Sequence, residues 1–140
     1  MRAVHLRELT AVDAPAVVEL WHAAGLTRPW NDPHEDFRRA LDGRTSTVLG
    51  LNEHGRLAGT AMVGHDGHRG WVYYLAVAPT HRRRGHGRAL MAACEAWLQD
   101  RGVPKLNLMV RGTNASTIAF YEALGYGADD VLVMSKRLRH

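Results

Sequence analysis

The chain has 140 residues, of which 46% are hydrophobic and 23% are charged, and its formal net charge is +4. This length and composition are typical of one globular domain that can bury a full core, so we predict a single domain over residues 1–140. No apolar run is long enough to cross a membrane, the N-terminus has no apolar signal core, and a lone cysteine excludes an internal disulfide. We therefore expect a cytoplasmic protein that is not bound to a membrane.

The first half of the chain predicts two helices between strands. Alternating apolar residues predict a strand over Ala3–Glu8. A helix capped by Thr10 or Asp13 follows, and Gly25 ends it. A second helix begins at Asp32-Pro33. It ends at Gly43 and is followed by strands over 47–51 and 57–63, a hairpin turn over 52–55, and a turn over 65–70.

The most informative stretch lies in the middle of the chain. An apolar and aromatic run, Trp71–Val77, predicts a buried strand that ends before Pro79. Gly85 and Gly87 then open a helix predicted over Arg88–Arg101, with apolar residues at helical spacing. The free N–H groups and the dipole of a helix N-terminus favour an anion, so the strand, glycine-rich basic turn and helix predict an anion site.

The remaining elements complete an alternating pattern. We predict a strand over Leu106–Val110, a helix over Ala115–Leu124 closed by Gly125, and a final strand over Val131–Met134. The order βααβββαβαβ predicts an α+β fold with helices on both faces of a mostly antiparallel sheet.

The basic turn, residues 82–88, differs from the common nucleotide loops. Arg88 follows Gly87 where a Walker loop needs Lys and then Ser or Thr, and Leu90 stands where a dinucleotide loop needs a third glycine. The sequence Arg-Arg-Arg-Gly-His-Gly over 82–87 fits the pattern Arg/Gln-x-x-Gly-x-Gly/Ala and resembles the acetyl-CoA pyrophosphate loop of the GNAT superfamily of N-acetyltransferases. A plain basic surface turn before an ordinary helix is the alternative.

A second motif strengthens this resemblance. The segment Asn114–Tyr126, N-A-S-T-I-A-F-Y-E-A-L-G-Y, closely resembles the N-x-x-x-I-A-x-Y-E-x-L-G-F segment of the same superfamily. There the Asn contacts the cofactor and the Tyr points at the thioester sulfur. The segments 28–33 and 66–75 further resemble small bacterial acetyltransferases of the YpeA type.

The resemblance implies a GNAT fold, with a mixed, mostly antiparallel sheet of six or seven strands and about four helices. It also implies transfer of the acetyl group of acetyl-CoA to a primary amine by direct attack in a ternary complex. The resemblance further leads us to expect a small-molecule or peptide amine as the acceptor, and a monomer or homodimer as the oligomeric state. We expect neither a metal, because the nine histidines lack ligand spacing, nor nucleic acid as a partner.

The same resemblance assigns the site residues. Tyr121 is the predicted catalytic acid that protonates the leaving thiolate. A backbone N–H within 75–77 is the predicted donor to the oxyanion. The predicted cofactor-binding residues are Leu75, Ala76, Val77, Arg82, Arg83, Arg84, Gly85, His86, Gly87, Arg88, Asn114 and Tyr121.

The general base and the acceptor pocket are less determined. Many relatives carry a carboxylate on the later strand at the position that Met109 occupies here. The base candidates are therefore His65, Asp66, His68, Asp32 or a water chain. The predicted acceptor-binding residues are Trp30, Asn31, Asp32, Tyr73 and Tyr74.

Two alternatives stay open from the sequence. A non-catalytic acyl-CoA-binding regulatory module would share the fold and explain the missing strand carboxylate. A nucleic-acid-binding domain would use the basic turn and the basic C-terminus, and its binding would depend strongly on salt.

Overall fold

The computed structural model describes residues 4–139, and the chain divides after Leu108 into two compact units. Ala3, predicted to begin the first strand, lies outside the described residues. The larger unit contains β1 (Val4–Glu8), α1 (Ala14–Ala23), α2 (Pro33–Asp42), β2 (Ser46–Glu53), β3 (Arg56–His65), β4 (Gly70–Val77), α3 (His86–Asp100) and β5 (Leu106–Leu108), and the smaller unit contains α4 (Ala115–Ala123).

The strands form one sheet in the order β1-β2-β3-β4-β5. The first four strands pair antiparallel with their neighbours, and β5 pairs parallel with β4. The predicted α+β class and the mixed, mostly antiparallel sheet are therefore confirmed. The sheet has five strands within residues 4–139 instead of the six or seven expected.

The predicted final strand over Val131–Met134 is wrong. These four residues join no ladder in the described part of the chain, and their side chains are 63–88% exposed. A short run of Val, Leu and Met has high strand propensity, but that propensity is realised only where a neighbouring strand supplies hydrogen bonds and packing.

Helices cover both faces of the sheet, as adjacent residues of β3 show. The Thr60 hydroxyl accepts a 2.9 Å hydrogen bond from the indole N–H of Trp21 on α1. The preceding residue, Gly59, faces the opposite side of the sheet. A Cβ added to Gly59 would lie 2.8 Å from Cδ1 of Leu90 on α3. Because successive side chains of a strand point to opposite faces, α1 and α3 lie on opposite sides of the sheet.

Several predicted boundaries move by a few residues, and two of these shifts affect the site. Asn52 and Glu53, predicted in the hairpin turn, belong to β2, and the loop contains only His54 and Gly55. Both loop residues have positive φ (51° and 77°), as a two-residue hairpin requires. Helix α3 begins at His86, two residues earlier than predicted. No helix in residues 4–139 is long and apolar enough to cross a membrane.

Candidate active site

A β-bulge interrupts β4 where the cofactor residues are predicted. Thr60 pairs with Ala76 and Met62 pairs with Tyr73, so two residues of β4, Tyr74 and Leu75, oppose a single residue of β3. Tyr74 has a left-handed φ of 52°. A bulge leaves one residue outside the ladder and re-aims the neighbouring side chains.

In the part of the chain that the structure describes, one edge of β4 has no strand partner beyond the bulge. β5 pairs only with Gly70, Trp71 and Val72. Among the described residues, no strand pairs with the same edge at 75–77, the stretch predicted to bind the cofactor arm. Backbone N–H and C=O groups along such an edge can pair with an extended ligand.

The basic turn presents backbone N–H groups at the start of α3. Arg83 (φ 65°) and Gly85 (φ 80°) are left-handed, and no side chain within residues 4–139 caps the helix. The N–H of Ala89 bonds to the carbonyl of Gly85 at 3.0 Å. The N–H groups of residues 86–88 consequently have no partner within the helix. Such a concave set of donors, at the positive end of a helix dipole, favours an anion.

The side chains of the turn divide into two groups. Arg84 donates a 2.8 Å hydrogen bond to Oε2 of Glu53, and Nε2 of His86 lies 3.4 Å from the same oxygen. Both glutamate and histidine are buried. The other basic side chains of the turn are exposed: Arg82, Arg83 and Arg88.

Glu53 is a residue of this region that sequence reasoning missed. Burial opposes its ionisation, but the hydrogen bonds and charges of His86 and Arg84 outweigh that effect and hold the pKa of Glu53 below its usual range. About thirty residues separate Glu53 from the turn in sequence. No local pattern signals such a contact, and the sequence predicts Glu53 in a hairpin turn.

Asn114 and Tyr121 lie on α4 in the smaller unit. Asn114 is the N-cap, and its Oδ1 accepts hydrogen bonds from the N–H of Thr117 (3.2 Å) and the hydroxyl of Ser116 (3.3 Å). The half-buried ring of Tyr121 meets Tyr126 edge-on at 5.8 Å. Because two helical turns separate Asn114 from Tyr121, both lie on one side of α4.

The predicted acceptor residues are distributed between a loop and the bulge. Trp30 is 55% exposed, and Asn31 is also exposed. Asp32 caps α2 by accepting from the N–H groups at positions 34 and 35. The bulge places Tyr73 and Tyr74, although adjacent, on the face of the sheet that α1 and α2 cover.

Asp36 on α2 is the second residue that sequence reasoning missed. Its carboxylate accepts a 2.7 Å hydrogen bond from the hydroxyl of Tyr74. Burial, followed by this hydrogen bond, raises the pKa of Tyr74 well above its usual value. Asp36 is thus a half-buried carboxylate held directly beside the bulge.

Three base candidates lie at the opposite end of β4 from the bulge. Asp66 accepts from the N–H groups of His68 and Arg69 at 2.9 and 2.8 Å, and these bonds lower its pKa. His65 accepts from the N–H of Gly67. A strand rises about 3.3 Å per residue, so Leu75, five residues after the start of β4 at Gly70, lies about 16 Å from that start. These groups therefore shape the β3–β4 turn and lie far from 75–77.

The described residues contain no group of three or more His, Cys, Asp or Glu side chains placed to hold a metal ion. The single cysteine, Cys94, is buried on α3. Burial, with a smaller effect of Glu95, raises the pKa of its thiol to about 12. Cys94 is therefore a protonated core residue at neutral pH.

Comparison with known proteins identifies the family. A sequence model of the acetyltransferase (GNAT) family matches residues 15–126. An acetyltransferase of Yersinia pestis (strain Pestoides F) is 44% identical over 126 residues, covering 90% of this chain and 89% of that protein. An acetyltransferase of Sodalis glossinidius (strain morsitans) is 46% identical over 127 residues, with the same coverage.

Solved structures agree with this result. The ribosomal-protein-S18-alanine N-acetyltransferase from Escherichia coli is 31% identical with a TM-score of 0.76, covering 87% of this chain and 76% of that one. The aminoglycoside N-acetyltransferase AAC(6')-Iy, in complex with CoA, has a TM-score of 0.85 at 15% identity, covering 99% and 97% of the two chains, a likeness of fold. The sheet and the sequence comparisons together make this chain a member of the GNAT family of acetyltransferases.

Proposed function

We propose that the protein transfers the acetyl group of acetyl-CoA to a primary amine, by direct attack of the amine on the thioester in a ternary complex. The observation that carries the proposal is the uncapped N-terminus of α3, which follows the strand whose edge is open at 75–77. A pyrophosphate and an amide-rich arm are the chemical groups that suit these two features.

The turn and the strand edge have separate roles in this proposal. The N–H groups of residues 86–88 bind the pyrophosphate, and the exposed Arg82, Arg83 and Arg88 add positive charge. A backbone N–H in 75–77 stabilises the oxyanion, an interaction typically worth about 3–4 kcal/mol. In the smaller unit, Asn114 is the proposed cofactor contact and Tyr121 the proposed general acid.

The acceptor is proposed to be an amine that approaches from the face covered by α1 and α2. Tyr73 and Tyr74 lie on this face, and Asp36 is fixed to Tyr74 there. A carboxylate attracts an ammonium group and can receive its proton through water. Two structural neighbours are a ribosomal-protein-S18-alanine N-acetyltransferase and an aminoglycoside N-acetyltransferase, and both kinds of acceptor carry amines. A cytoplasmic location, a single domain and a monomeric or homodimeric state stay predictions.

Thermal unfolding with and without millimolar acetyl-CoA tests the cofactor site. A ligand at about 100 times its dissociation constant stabilises the folded state by roughly 2.7 kcal/mol. Gly87→Glu places a negative charge among the proposed phosphate donors and should abolish the shift. Ala96→Glu adds the same charge at an exposed position of the same helix and should retain it.

Acetyl transfer itself needs a separate assay. Release of the CoA thiol in the presence of a panel of small and peptide amines would support transfer. Acetyl-CoA binding without thiol release for any amine would favour the non-catalytic acyl-CoA-binding module. A folded wild type whose unfolding temperature is insensitive to acetyl-CoA would contradict the proposed cofactor site.

A further inference from the structure

Side chains from the turn region converge on one carboxylate oxygen. Oε2 of Glu53 lies 2.8 Å from Nη1 of Arg84, 3.3 Å from Nε2 of His81 and 3.4 Å from Nε2 of His86. The side chains of Glu53 and His86 are only 11% and 5% exposed. His81 precedes the basic turn, Arg84 lies within it, and His86 begins α3. The end of β2 thus contacts the turn region before, within and after its bend.

We propose that Glu53 is a positioning residue for acetyl-CoA, which holds the basic turn so that the N–H groups at the start of α3 face the pyrophosphate. This inference rests on the proposed cofactor site. Glu53 acts through Arg84 and His86, and it does not itself contact the cofactor.

The backbone conformation of the turn explains why the turn needs contacts that hold it in place. Arg83 has a φ of 65° although it is not glycine. A non-glycine residue persists in this conformation only where its surroundings hold it there. The next residue, Arg84, is anchored to Glu53, and His86 is buried after the second left-handed residue, Gly85. The contacts with Glu53 therefore hold the left-handed segment at its middle residue, Arg84, and directly after it, at His86.

Charge alone predicts the opposite effect on binding. An ionised carboxylate near a pyrophosphate repels it, and Glu53 also occupies a guanidinium that would otherwise be available to the phosphates. If electrostatics dominated, removing the charge of Glu53 would tighten acetyl-CoA binding. If positioning dominates, removing it loosens the turn and weakens binding. The two explanations thus differ in the sign of the change.

The experiment measures the dissociation constant of acetyl-CoA by calorimetry for the wild type and Glu53→Gln, at one pH and ionic strength, together with the unfolding temperature without ligand. Positioning predicts binding about tenfold weaker, because the acceptor of the Arg84 hydrogen bond loses its charge and holds the turn less firmly. The KM for acetyl-CoA should rise while kcat is retained. Asp13→Asn is the matched control, since it removes another carboxylate paired with an arginine in the same unit, away from the turn.

Each outcome decides between the explanations. Unchanged or tighter binding by Glu53→Gln overturns the proposal, even if the unfolding temperature falls. If Asp13→Asn also weakens acetyl-CoA binding, the effect of Glu53→Gln would reflect general destabilisation of the fold. That result would also overturn the proposal. Glu53→Asp, which keeps the charge but withdraws the oxygen, should weaken binding too, and it replaces Glu53→Gln if that variant does not fold. Failure of the wild type to bind acetyl-CoA would contradict the cofactor site itself.

Discussion

The hydroxyl of Tyr74 donates a 2.7 Å hydrogen bond to Asp36, which joins the bulge of β4 to the first turn of α2. The ring of Tyr74 stacks on Trp21 with centroids 3.8 Å apart and planes 10° apart. Trp21 donates to the hydroxyl of Thr60, which in turn donates to the carbonyl of Tyr74 at 3.1 Å. These contacts close a ring of interactions that holds Tyr74 in its left-handed conformation.

Tyr74→Phe should lower the free energy of unfolding by about 1 kcal/mol, because the stack on Trp21 is kept while the hydrogen bond to Asp36 is lost. Urea unfolding measures the change. Tyr73→Phe is the control, since Tyr73 is adjacent and more exposed, and we expect a smaller effect there. Equal effects of the two substitutions would contradict a structural role for the Tyr74–Asp36 bond.

Tyr121→Phe should lower kcat by about 100-fold, near the lower end of the range for general acid catalysis, because a thiolate is a tolerable leaving group. The dissociation constant of acetyl-CoA should stay unchanged. Single-turnover kinetics with a saturating amine measures the chemical step. Tyr126→Phe removes the hydroxyl from the ring that packs against Tyr121 and should leave kcat intact. An unchanged kcat in Tyr121→Phe would rule out the acid role.

The ion pair between Arg7 and Asp13 should make stability depend on acid pH. Its hydrogen bonds, at 2.9 and 3.0 Å, lower the pKa of Asp13 in the folded state. The stabilisation is therefore present above the unfolded pKa, about 3.9, and is lost as pH falls through the folded value.

Asp13→Asn should accordingly lower the free energy of unfolding by about 0.5–1 kcal/mol at neutral pH, a value typical of a solvent-screened pair. The difference from wild type should shrink once the solution is acidic enough to protonate Asp13 in the folded protein. Urea unfolding of the wild type and Asp13→Asn, at neutral pH and at this acidic pH, measures the difference. A difference that is constant with pH would mean that the carboxylate charge is not the cause.

Gly59→Ala should destabilise the fold by about 1–3 kcal/mol through overpacking. An added Cβ would lie 2.8 Å from Cδ1 of Leu90 and 3.0 Å from the carbonyl oxygen of Ala76, so the buried Leu90 side chain or the backbone of β4 must shift. Gly112→Ala is the control, because no atom lies within 4 Å of its added Cβ. Indistinguishable unfolding temperatures for the two variants would show that α3 does not pack as closely on β3 as described.

Local features of the chain account for what the sequence predicted well. The helix over Pro33–Asp42 follows from the Asp32 cap, Pro33 and Gly43, all of which act within one or two turns. The position of the basic turn in the chain, likewise, follows from Gly85 and the residues next to it. Such patterns involve residues that are close together in the sequence. They can therefore be recognised without knowing which distant residues these elements contact.

For the same reason, the family could be recognised from the sequence. The turn at 82–87 and the segment from Asn114 to Tyr126 each occupy a short continuous stretch, and both lie within the residues that the family model matches.

By itself, then, the sequence determined the order of the elements from β1 to α4, the α+β class, the family and the position of the turn. Tertiary structure alone decided that Glu53 contacts Arg84 and that Asp36 contacts Tyr74, pairs that are 31 and 38 residues apart along the chain. It also decided the bulge at Tyr74, and that Val131–Met134 pair with no strand among the described residues. The physical reason is that strand pairing and buried charge contacts depend on which distant residues come together in the fold. The local periodicity of the sequence does not indicate which residues these are.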